Sequence, residues 1–164
     1  PEAQGWIAGP EDEDPEYAAE CRALIHSLQL DDHVRFLGFQ KIADLLPKVG
    51  VIVLSSISEA LPLVLLEGFA AGVPAVSTDV GSCRQLIEGL DDDDRALGRA
   101  GEVVGIANPE ALGRAVADLL RDPERWHAAQ QAGIRRVEAY YTQERMFASY
   151  RNLYESLLNQ EETP

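Results

Sequence analysis

Cysteine is scarce. Cys21 and Cys83 are the only two in 164 residues, too few for the disulfide framework on which small secreted domains rely, and they make no zinc site. Methionine is scarcer, with Met146 alone; the chain opens at Pro1 and reads as an excised piece of a longer protein. No apolar run approaches the roughly 18 residues of a membrane span. No basic stretch followed by an apolar one opens the chain either, so the expected compartment is the cytoplasm. Positive charge is in deficit: 14 Lys and Arg against 28 Asp and Glu leave a net charge of −14. Nucleic acids and anionic membranes reward clustered Lys and Arg, so neither is an expected partner. No internal repeat stands out.

What remains is ordinary globular material. A content of 46% hydrophobic and 26% charged residues suits one domain, residues 1–164, around a single core. Within it, Ser55 to Pro74 is the most informative stretch. From Leu61 to Val73 the only ionisable side chain is Glu67, so the segment reads as covered on most sides, where a lone carboxylate needs a partner to offset its desolvation. Two readings stand: Glu67 is a site residue, or it reaches solvent or a backbone amide near a helix start.

The surroundings supply a setting. Val49 to Leu54 is a continuous, β-branched apolar run of the kind expected for a strand buried on both faces. Ser55, Ser56 and Ser58 follow as a loop, Pro62 suits a first helical turn, and Gly72-Val73-Pro74 closes the helix before a strand opens at Ala75. Strand, loop, helix and strand make a βαβ unit, in which ligands bind outside the carboxyl ends of the strands. Glu59 falls in that loop. The free N–H groups of the helix start suit a phosphate, and Glu67, further along the helix, can accept from a sugar hydroxyl beyond it.

The rest of the chain alternates in the same way, which predicts an α/β fold with a parallel sheet. Strands are expected at Trp6 to Gly9, His33 to Gly38, Ala75 to Thr78 and Glu102 to Ile106. Helices are expected at Glu16 to Gln29, Ile42 to Pro47 and Ser82 to Ile87, with three more from Pro109 to Leu158. Cys21 shares a helical stripe with Tyr17, Leu24 and Leu28 and reads as core, while Cys83 reads as a small filler in a loop beside the ligand. His26, His33 and His127 read as surface or cap residues. The runs Glu11 to Asp14 and Asp91 to Asp94 lack the alternating spacing of a calcium loop and read as irregular, solvated surface. Met146, Tyr150, Leu153, Tyr154 and Leu157 form a stripe on the last helix, which either docks on this domain, the favoured reading, or faces a second one.

With Glu59 and Glu67 separated by seven residues, the chain resembles the family 4 glycosyltransferases of GT-B architecture, whose signature has that spacing. Val34 to Phe39, Ser55-Ser56, Ala70 to Pro74 and Val80-Gly81 fall where the family has its strand, loop, helix end and following loop. The wording of Leu54 to Glu59, Leu61 to Val64 and Asp79 to Arg84 is most similar to the subfamily that builds the Pel exopolysaccharide of bacterial biofilms. The resemblance implies a Rossmann-like, three-layer domain ending in several helices: the C-terminal, donor-binding half, lacking the N-terminal acceptor domain.

It further implies a retaining, metal-independent transfer without cofactors from a nucleotide diphosphate sugar, a uridine one such as UDP-glucose. The helix start at Leu61, Leu63 and Val64 would hold the diphosphate, Glu67 the ribose, Glu59 the transferred sugar or its reacting carbon, and Phe39 with Gln40 would border the base. The acceptor domain and other polysaccharide-synthesis proteins are the implied partners. An arginine and a lysine that the family uses on the diphosphate would precede residue 1, and Gln85 stands where many members carry glutamate. A non-catalytic binding or regulatory module and a nucleotide-sugar epimerase are the alternatives; the glutamate spacing favours transfer.

Overall fold

The computed structural model describes residues 3–161, with side chains through residue 158. The chain divides into two compact units, Pro1–Leu45 and Leu46–Pro164.

The first unit is a βαβ hand of strand β1 (Gly5–Ala8), helix α1 (Pro15–Ser27) and strand β2 (Val34–Gly38), followed by the short helix α2 (Ile42–Leu45). The two strands pair in parallel, Gly5 opposite Val34 and Ile7 opposite Phe36, with an irregularity between Ile7 and Ala8. Among the described residues 3–45 none is buried. The expected Cys21 core is therefore absent: Cys21 is half-buried, and Tyr17, at 64% exposure, is open to water. Two strands offer too little surface to cover a helix. Arg22 instead lays its guanidinium 4.2 Å from the Phe36 ring centroid, bridging α1 and β2 by a cation–π contact.

The second unit holds the core. After a 3-10 turn (Leu46–Lys48), strand β3 (Ile52–Leu54), helix α3 (Leu63–Ala70), strand β4 (Ala75–Thr78), helices α4 (Cys83–Glu88) and α5 (Asp92–Arg95) and strand β5 (Gly101–Val104) follow. Helices α6 (Pro109–Arg121), α7 (Pro123–Tyr140) and α8 (Gln143–Glu161) complete it. The sheet is parallel, in the order β3-β4-β5. Every residue of the central strand β4 is buried, and alternate side chains serve opposite faces. Ala75 packs in one cluster with Leu65, Phe69, Cys83, Leu86 and Ile87 from α3 and α4. Val76 packs on the other side with Leu119 of α6 and Ala129 of α7. Helix, sheet, helix is the three-layer arrangement expected of a Rossmann-like unit. Fully burying Leu65 or Phe69 is worth about 1.5–3 kcal/mol each.

Local chemistry sets the helix starts. Asp14-Pro15, Asn108-Pro109 and Asp122-Pro123 each put an Asx side chain at the N-cap, accepting an amide at 3.0 Å, with proline in the first turn.

Four expectations are corrected. Val53 of β3, the edge strand of its unit's sheet, is 48% exposed because nothing among the described residues of that unit covers the face it points to, so β3 is not buried on both faces. Cys83 opens α4 rather than lying in a loop, and is fully buried as a filler. The acidic run is exposed at Asp91, Asp92 and Asp93 as expected, but it is not irregular, since Asp91 caps α5, and Asp94 is buried against Arg136. The α8 stripe does not dock on this unit, since Met146, Tyr150, Leu153, Tyr154 and Leu157 are all exposed. Among the described residues no helix is long and apolar enough to cross a membrane.

Candidate active site at the ends of strands β3 and β4

Helix α3 begins one residue later than Pro62 suggested, with Pro62 at the N-cap, extended and buried. Proline has no side chain that can cap, and α3 receives no side-chain cap hydrogen bond. Leu65 N–H turns back to the Pro62 carbonyl at 3.2 Å. The amides of Leu63 and Val64, in the first turn, have no intrahelical acceptor. Leu61 precedes the helix, in the loop. The start of α3 is thus a pair of free donors backed by the positive end of the helix dipole, an arrangement suited to an anion.

Glu67 lies four residues after Leu63, about one turn into α3. The buried face of α3 is Leu65, Gly68 and Phe69, so Leu63, Glu67 and Ala70 form the opposite, exposed row. The covered setting expected for Leu61 to Val73 thus does not extend to Glu67, which reaches solvent as the second of its two readings has it; exposure leaves the site reading open as well. Helical side chains lean toward the helix N-terminus, which directs Glu67 toward the free amides rather than away from them.

Glu59 is half-buried in the loop between β3 and α3. This loop has no regular structure of its own and is held by the segment that follows β4. The Thr78 hydroxyl donates to the Ser56 carbonyl at 2.6 Å, and the Ser82 amide donates to the Ala60 carbonyl at 2.9 Å. Gly81, at φ +49°, lies so close to the loop that a Cβ there would sit 2.3 Å from the Glu59 carbonyl oxygen. Thr78, Gly81 and Ser82 were not singled out as site residues from the sequence. A glycine three residues after a strand end was the available signal, since left-handed backbone and close approach both call for it.

Arg84, at the start of α4, is occupied: it donates to Asp79 at 2.7 Å and to Glu88 at 3.0 Å, which raises its pKa further. Gln85 donates to the Tyr141 hydroxyl at 3.0 Å. Among the described residues no group of three or more His, Cys, Asp or Glu could hold a metal ion. Glu59 and Leu61 in the loop and Leu63, Val64 and Glu67 in the first turns of α3 all belong to the second unit. Phe39 and Gln40 belong to the first, where Phe39 is exposed and Gln40 Nε2 donates to the Leu37 carbonyl at 2.7 Å.

The family model for glycosyl transferases group 1 matches residues 1–136. The chain belongs to this family. Among curated relatives, the N-acetyl-alpha-D-glucosaminyl L-malate synthase of Bacillus anthracis is 33% identical over 139 residues, covering 82% of this chain and 34% of that protein. A lipopolysaccharide core biosynthesis mannosyltransferase of Rhizobium leguminosarum is 29% identical over 145 residues, covering 87% of this chain and 38% of that one. The chain thus spans about a third of the length of these group 1 relatives. A glycosyltransferase from Rickettsia africae superposes with a TM-score of 0.82 at 20% identity, over 96% of this chain and 40% of that one. Anabaena Alr3699/HepE, solved in complex with UDP-glucose, superposes at 0.77 and 19% identity over 97% of this chain and 42% of its own. The fold is that of the GT-B glycosyltransferases.

Proposed function

We propose that this group 1 domain is the donor-binding half of a retaining glycosyltransferase that uses a nucleotide diphosphate sugar, with UDP-glucose or a related UDP-sugar as donor. The observation that carries the reading is the uncapped start of α3 with Glu67 exposed one turn into the helix and Glu59 in the loop in front. In this assignment the Leu63 and Val64 amides, with the loop at Leu61, hold the diphosphate and stabilise the charge that grows on it as it leaves. Glu67 accepts from the ribose hydroxyls. Glu59 holds the transferred sugar or stabilises its electron-poor carbon. No step calls for a metal or a cofactor.

The UDP-glucose complex of the Anabaena protein, which has the same fold, supports a uridine donor. The Pel-like wording of residues 54–84 supports exopolysaccharide synthesis, in the cytoplasm, with an acceptor domain elsewhere in the same protein. The test is calorimetric titration of this chain and its Glu67→Ala variant with UDP, UDP-glucose and GDP. Uridine-selective binding that the variant loses is expected; equal affinity for UDP and GDP rejects the uridine assignment.

A further inference from the structure

We propose that Thr78 is a positioning residue for Glu59, and that through it the β4–α4 segment determines how well the site holds the sugar of the donor as distinct from its nucleotide. This rests on the donor-site reading above. The starting observation is a hydroxyl that has been taken out of water. Thr78 closes β4, is only 5% exposed, and its proton goes to the Ser56 carbonyl at 2.6 Å, with the Leu54 carbonyl further off at 3.4 Å. Leu54 is already fixed by its place opposite Ser77 in the β3–β4 ladder. Ser56, two residues on, is not, so the Thr78 bond acts on the free part of the loop.

A second catch lies on the far side of Glu59, where the Ser82 amide donates to the Ala60 carbonyl at 2.9 Å and Gly81 closes against the Glu59 backbone. Ile57 and Ser58, between the catches, are exposed and have no packing of their own to hold them. The two hydrogen bonds are what give Glu59 a defined place. The other half of the site is held differently. Helix α3 is anchored by Leu65 and Phe69 in the core, so its free amides and Glu67 do not depend on Thr78. Losing the hydroxyl should therefore loosen Glu59 and leave the nucleotide subsite intact.

Thr78→Val keeps the shape and removes the donor; Thr78→Ser keeps the donor. Backbone 15N order parameters of Ile57 to Ala60, measured without ligand, are expected to fall from about 0.85 to below about 0.6 in Thr78→Val and to recover in Thr78→Ser. Unchanged order parameters in Thr78→Val overturn the proposal. Titration with UDP and with UDP-glucose should show UDP affinity retained in Thr78→Val while the ratio of the two dissociation constants shifts about tenfold against UDP-glucose, the scale of one charge-assisted hydrogen bond. Equal loss for both ligands marks a merely structural role and also overturns it. Should Thr78→Val not fold, Gly81→Ala displaces the same loop from the other catch, and an unshifted ratio there is equally fatal. If the wild-type protein binds neither ligand, the donor-site reading has failed and the positioning role with it, while the order parameters still report separately whether the clamp exists.

Discussion

Arg136 Nε lies 2.6 Å from Asp94 Oδ1, and both side chains are sealed from water, at 0% and 2% exposure. The guanidinium also donates to the carbonyls of Ile87, Asp94 and Gly98 at 2.8, 3.0 and 2.8 Å. One residue of α7 thereby ties together the end of α4, helix α5 and the turn before β5. Removing one partner of such a pair strands a buried charge, at a cost of about 3–5 kcal/mol. Arg136→Met and Asp94→Ala are each expected to lose stability of that order in urea denaturation, and the double variant less than their sum. Strict additivity would show that the two side chains do not act as a pair.

The same pair marks where the sequence was silent. Four contiguous aspartates look like solvated surface, because nothing local distinguishes Asp94 from Asp93. The distinction comes from Arg136, 42 residues away, and such a distance leaves no periodic trace. The βαβ alternation was legible because burial on both faces of β4 and on one stripe of α3 leaves apolar runs and spacings of its own. Glu59 and Glu67 were legible as a pair for a similar reason: an isolated carboxylate in an apolar helix is conspicuous. Thr78 was not, since its role depends on a carbonyl that only the folded loop brings to it. The apolar spacing of α1 and α8 was legible too, but what covers those faces was not.

Two glycines separate crowding from propensity. A Cβ on Gly133 of α7 would lie 3.1–3.2 Å from three atoms of Phe69, whereas one on Gly113 of α6 would meet nothing within 4 Å. Gly133→Ala is expected to destabilise by about 1–3 kcal/mol through overpacking of α7 on α3. Gly113→Ala should stabilise by about 0.4–1 kcal/mol, because alanine has less freedom to lose in a helix. Denaturant midpoints of the two variants check both signs; a stabilising Gly133→Ala would mean that Phe69 moves aside at no cost.

A surface chain of ion pairs runs Asp79–Arg84–Glu88–Arg99–Glu102–Arg125. Its links are partly exposed, so each alone is worth about 0–1 kcal/mol and is screened by salt. Glu88 is an interior link, serving both Arg84 and Arg99 at 3.0 and 2.8 Å. Glu88→Gln should therefore cost about 1 kcal/mol at low salt and less at about 0.5 M salt. A cost that does not change with salt would assign the effect to packing instead.

Tyr141, half-buried and hydrogen-bonded by Gln85, has its phenol pushed up from 10.0, chiefly by burial, with the Gln85 amide pulling the other way. A group whose folded pKa is raised contributes stability that is complete below the unfolded value and lost as pH rises through the folded one. Stability should thus decline as pH passes above about 10, and Tyr141→Phe should flatten part of that decline. Tyr140 is raised as well, so some alkaline dependence should survive in the variant. Denaturation midpoints at about pH 9 and about pH 11 test the difference; identical slopes in the two proteins would exclude Tyr141 as a contributor.

The two glutamates should part company kinetically in the intact enzyme. Glu67 lies on the exposed row of α3, and in the proposed assignment it meets the ribose in ground state and transition state alike. Uniform binding of this kind changes affinity rather than turnover. Glu67→Ala should weaken UDP binding by about 1.5–3 kcal/mol, the worth of a hydrogen bond to a charged group. In the proposed assignment Glu59, in the loop before α3, meets the reacting sugar, so Glu59→Ala should leave UDP affinity near wild type. Its turnover should fall about 100- to 1,000-fold, the scale of losing one preorganised electrostatic partner. UDP titration and steady-state transfer rates of the two variants, side by side, decide it. Equal UDP affinity in wild type and Glu67→Ala would remove Glu67 from the ribose, and an unchanged turnover in Glu59→Ala would remove Glu59 from the reacting sugar.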